Sequence, residues 1–75
     1  MVRRYTLVLD PDLEAGGYTV TVPALPGVVT QGATAAECRT RALEAIGLYL
    51  EHLTETGQPL PEERTQPQLL TVEVA

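Results

Sequence analysis

The chain has 75 residues, with six Gly, six Pro, one Cys, one His and neither Trp nor Phe. That length allows one domain, which buries only about 60% of its unfolded surface. A single Cys and a single His exclude an internal disulfide, a CxxC motif and a His-rich metal site. Ten acids against five bases give a net charge of −5, which suits a basic protein partner better than nucleic acid, where each phosphate contact draws on Lys or Arg.

A 44% hydrophobic fraction points to a folded domain rather than disorder. One core of this size supplies only about 3–5 kcal/mol, so a partner subunit is the expected staple. The first apolar run, Tyr5 to Leu9, is too short for a signal segment or a membrane span. The expectation is a cytoplasmic chain with no membrane role, no cofactor and no direct nucleic-acid contact.

Arg4 to Leu9 is rich in β-formers and puts Tyr5, Leu7 and Leu9 on one face. A long hairpin loop from Asp10 to Gly17 leads to a second strand, Tyr18 to Val22. There Tyr18, Val20 and Val22 oppose Thr19 and Thr21, as in a sheet with one buried face. Pro23 to Gly27 breaks the ladder, and Pro26-Gly27 predicts a type II turn. Val28 to Thr30 is a short third strand, and Gln31 to Ala33 turns the chain.

Thr34-Ala-Ala-Glu37 has the form of a capping box, opening a helix that runs to about Thr56 with Gly57 as the residue just past its end. Cys38, Ala42, Ala45, Ile46, Tyr49 and Leu53 share one face, widened by Leu43 and Leu50. Arg39 projects toward that widened edge, to snorkel or to pair across a subunit interface. Gln58 to Gln68, with Pro59, Pro61 and Pro67, is an extended connector, and Leu69 to Val74 is a last strand with Leu70, Val72 and Val74 on one face.

The expected architecture is α+β, in the order β-β-β-α-β. Three strands form an antiparallel meander, and a right-handed crossover returns the fourth beside the first, giving a sheet of order 3-2-1-4 with the helix on one face. The other face is left for a second subunit, which predicts a dimer or tetramer.

Tyr18-x-Val20-x-Val22-Pro23-x-Leu25-Pro26-Gly27, then Thr30-x-Gly32-x-Thr34-x-x-Glu37, then Ala42-x-Glu44-Ala45-Ile46-x-x-Tyr49-Leu50 together resemble the HicB-like family. These are antitoxin domains of the HicA–HicB toxin–antitoxin systems. The resemblance implies a truncated ribonuclease-H-like sheet without catalytic acids, and a partner that is a small basic mRNA-cleaving toxin of the HicA type. Many family members add a C-terminal DNA-binding module. Residues 1–75 are expected to form a single HicB-like domain without one. Ala24 and Ala33 stand where the family often has Asp, and Cys38 where Ala is commoner.

Two catalytic readings were weighed against this. Asp10, Asp12 and Glu14 are the acids a metal-dependent nuclease would need, but they share one loop, where Asp and Pro are ordinary turn chemistry. Cys38 and His52 lie about 20 Å apart along one helix, beyond hydrogen-bond reach. No enzyme is expected. A self-associating domain without a toxin is the main alternative.

The candidate partner surface is the acidic side of the helix. Glu37, Glu44 and Glu51 repeat every seven residues, Glu55 joins them, and Leu48 lies at the margin as an apolar anchor. Leu25, in the Leu-Pro-Gly turn, completes the candidate set. A polar outer face is also what any surface helix shows. Glu37 and Arg41 are placed for a local i,i+4 pair.

Overall fold

The computed structural model describes residues 2–63 and 67–75. Three strands and one helix follow in order: β1 (Val8–Pro11), β2 (Tyr18–Thr21), β3 (Val29–Gly32) and α1 (Ala35–Glu55). The sheet is antiparallel throughout, in the order β1-β2-β3. The α+β class and the meander are as expected.

Strand limits differ from the sequence reading by a few residues, and the ladder explains why. Val8 pairs with Thr21, so Thr6 falls level with Pro23, which has no N–H to donate. Pairing therefore starts at Val8 instead of Arg4. It continues to Pro11, opposite Tyr18. The Asp12 amide donates to the Gly17 carbonyl at 2.9 Å, so alternation turns the Pro11 nitrogen to the open edge, where a missing donor costs nothing. At β3, Val28 is buried and its amide closes a turn onto the Leu25 carbonyl at 2.9 Å. Gln31 and Gly32, expected in a turn, pair instead with Thr19 and Tyr18.

The Pro26-Gly27 turn is not type II, because the φ of Gly27 is not positive. Glycine serves a different purpose there. A Cβ on Gly27 would lie 3.1 Å from the Tyr49 ring, which rests on this loop. Left-handed backbone is used at Gly16 and Gly17 in the β1–β2 loop and at Gly57 after the helix. Gly57 ends α1 in a Schellman motif: Gln58 N–H donates to the Leu53 carbonyl and Gly57 N–H to that of Thr54.

Val20, Val22, Leu25, Val28, Cys38, Ala42 and Leu53 form the buried core, flanked by half-buried Tyr5, Leu7, Leu9, Tyr18, Ile46 and Tyr49. The sheet alternation and the helix stripe are thus as the sequence predicts. α1 lies over β3 and β2 rather than over β1. The opposite sheet face carries Asp10, Thr19, Thr21 and Gln31 beside Val8 and Val29. Being mostly polar, it makes little demand for the covering subunit that the sequence suggested.

After α1 the connector returns to the start of the chain. Tyr5 Oη donates to the Pro61 carbonyl, and Thr6 donates to the Glu63 carboxylate from both its amide, at 2.6 Å, and its hydroxyl. The rest of the expected connector includes residues 64–66, outside the described residues. The expected fourth strand is not seen among the described residues: residues 67–75 pair with none of them in a sheet, and Leu69, Leu70, Val72 and Val74 are 78–88% exposed. Among the described residues the sheet therefore ends at β1, and neither the order 3-2-1-4 nor the truncated ribonuclease-H-like arrangement is supported.

Candidate functional site

The helix start sets the first part of the candidate surface. Thr34 Oγ1 accepts the Glu37 amide at 3.1 Å, capping α1. The reciprocal half of the expected capping box is missing, because the Glu37 carboxylate instead accepts from Arg41 Nε at 3.1 Å. That predicted pair is present. It neutralises Glu37 locally and sets it apart from the other acids.

Glu44, Leu48, Glu51 and Glu55 are all exposed on the same length of helix. Leu48 is 69% exposed. Glu44 lies one turn before it, Glu51 one turn after, and Glu55 one turn further, so three acids bracket one leucine over about 16 Å of axis. None of the three makes an ion pair among the described residues.

Leu48 also borders a shallow depression with Gly27, Val29, Tyr49 and His52, at the open edge of β3. Val29 is 62% exposed. The sequence reading missed Val29 and His52 as neighbours of Leu48. Spacing alone would have found His52, four residues on; Val29 is joined only by packing of α1 on β3. Leu25 does not belong to the surface. It is 0% exposed, held between Val22 and Val28 under the helix, and its role is packing.

Of the acids weighed for metal chemistry, Asp12 is engaged in its own loop. The Asp12 carboxylate accepts the amides of Glu14 and Ala15 at 3.1 and 3.0 Å, ordering the β1–β2 loop. Among the described residues no group of three His, Cys, Asp or Glu side chains is placed to share a metal ion. Cys38 is buried against Gly32, and His52 is exposed nearly four turns, about 21 Å, further along α1. No helix among the described residues is long and apolar enough to cross a membrane.

Residues 5–72 match the family described as HicB_like antitoxin of bacterial toxin-antitoxin system. A UPF0150 protein of Thermoplasma acidophilum is 40% identical over 63 residues, covering 84% of this chain and 90% of its own. A UPF0150 protein of Synechocystis is 40% identical over 62 residues, covering 83% of this chain and 77% of its own. Antitoxin HicB 1 of Photorhabdus laumondii is 38% identical over 58 residues, which span 77% of this chain but 37% of that longer protein. The chain belongs to the HicB-like antitoxin family of bacterial toxin–antitoxin systems.

Proposed function

We propose that the protein is a non-catalytic antitoxin module of the cytoplasm that works as a homo-oligomer and sequesters a small basic mRNA-cleaving toxin of the HicA type. The observation that carries the reading is the exposed Leu48, bracketed by Glu44, Glu51 and Glu55 with no cation of the described chain paired to them. An apolar anchor ringed by like charges suits a partner that brings a small pocket and several Lys or Arg. Glu37 extends the acidic side toward the helix start, where Arg41 reduces its pull.

Calorimetric titration of purified HicA-type toxins into the protein tests this. Nanomolar to micromolar binding that weakens with salt, falls at least tenfold in the triple variant E44K/E51K/E55K, and suppresses RNA cleavage by the toxin is expected. Failure of every such toxin to bind the wild-type protein would overturn the reading. Self-association without a toxin is the second reading, favoured by the exposed apolar residues from Leu69 onward.

A further inference from the structure

Two apolar surfaces lack partners among the described residues. The first is the segment Leu69 to Val74. Leu70, Val72 and Val74 alternate with Thr71 and Glu73, the pattern of a strand with one apolar face, yet they are 84, 78 and 87% exposed. The segment carries the chain outward: the radius of gyration is 14.3 Å, against about 11 Å for a compact chain of this length.

The second is the open side of β1. Because α1 lies over β3 and β2, a groove of about 340 Å³ remains between the helix and the start of the first strand. Leu7, Leu43, Ile46 and Leu50 line it, with Arg3 and Arg39 at its rim. Leu43 is 58% exposed there. Among the described residues no strand pairs with the β1 edge beside the groove, and alternation from Asp12 points the N–H and C=O of Leu9 outward.

We infer that residues 69–74 of one copy add as a fourth strand to the β1 edge of a second copy, reciprocally, in a strand-exchanged dimer. The inference rests on the homo-oligomer part of the function proposed above. Backbone bonds to the free edge supply affinity, and Leu70, Val72 and Val74 fill the groove beneath. The exchange is isologous, so both copies satisfy the same edge and groove at once.

Glu63 is tied to Thr6, and Leu69 follows six residues later, at most about 20 Å on. Within the single chain Leu69, Leu70, Val72 and Val74 lie 78–88% exposed and off the β1 edge, which leaves that edge to a second copy. At roughly 60–120 Å² of apolar surface per Val or Leu, the three groove-facing residues on each of two tails cover about 360–720 Å². With the groove surface added, that approaches the ~1,200–2,000 Å² of a stable interface.

Light scattering on the full chain, and nuclear Overhauser contacts filtered for pairs between differently labelled copies, test the exchange. A dimer with contacts between residues 69–74 of one copy and Leu7, Leu9 or Leu43 of the other is expected. Val72→Lys, at a site exposed in the single chain, should raise the dimer dissociation constant at least tenfold without changing the helical circular dichroism. A variant ending at Gln68 should be monomeric. Contacts confined within one copy, or a wild-type monomer at tens of micromolar, would overturn the proposal. If the variant ending at Gln68 stays dimeric, the exchange is wrong while the homo-oligomer and the toxin-binding reading stand.

Discussion

Replacing Gly32 by Ala isolates the packing of α1 on β3. A Cβ at Gly32 would lie 2.8 Å from Cys38 N, 2.9 Å from Cys38 Sγ and 3.1 Å from Cys38 Cα. The closest approach is roughly 0.6 Å short of ordinary contact, and it is to backbone, so the helix start must lift off the strand. The φ of Gly32 is not positive, which leaves contact alone to carry the effect. Overpacking of this kind costs about 1–3 kcal/mol, out of a total near 4–11 kcal/mol for 75 residues. A 2 kcal/mol loss lowers Tm by about 8–16 °C. Thermal melts by circular dichroism, with urea midpoints at unchanged m, read the shift directly. Adding Cys38→Ala should not restore stability, because the nearest atom remains. The control is Gly47→Ala, an exposed helical glycine with nothing within 4 Å of the new Cβ, which should gain about 0.5–1 kcal/mol. If Gly32→Ala melts within about 2 °C of wild type, a shift worth less than ~0.5 kcal/mol, α1 does not approach β3 as closely as described.

Other substitutions separate the remaining roles. Gly17→Ala combines a φ of +73° with a Cβ 2.6 Å from the Gly32 carbonyl oxygen, and should destabilise by at least ~1–3 kcal/mol in the same melts. Thr34→Ala removes the cap on the Glu37 amide and should cost about 1 kcal/mol. Leu25→Ala should cost about 2–5 kcal/mol through a core cavity. Leu48→Asp, at an exposed site, should leave stability within about 0.5 kcal/mol, yet abolish toxin capture in the titration, a contrast that distinguishes packing from contact. Arg41→Ala removes an exposed i,i+4 pair and should lower the unfolding free energy in urea by only about a few tenths of a kcal/mol, roughly the size of any such surface pair.

Much of this fold could be read locally. Val20 against Thr19 and Thr21 announced a one-sided strand, and Thr34 with Gly57 bracketed the helix, because caps and alternation depend on nearest neighbours. What failed depended on partners distant in sequence. Pro23 silenced the pairing of Thr6, Gly32 proved to be strand because Tyr18 lay opposite it, and Tyr49 rather than backbone φ explained Gly27. Leu25 had the chemistry of a contact residue, but only packing between Val22 and Val28 reveals that it is inside. The Leu69–Val74 pattern did describe a strand-former; periodicity carries no information on which chain supplies its neighbour.

The bonds from Tyr5 and Thr6 to Pro61 and Glu63 span 56–57 positions, whereas the meander and the β3–α1 packing join neighbours in sequence. Short-range closures need little loop entropy, so the three strands and the helix form first and the latch at Thr6 closes afterwards. Its reopening needs no loss of the core. The Thr6 amide, bonded to a side chain rather than to the sheet, should exchange its hydrogen at a rate set by this sub-global opening, well before Val20 or Ala42. Each opening releases Pro61 and Glu63 from the strand start, so the domain finishes folding with the segment from Leu69 still able to search for a place to bind.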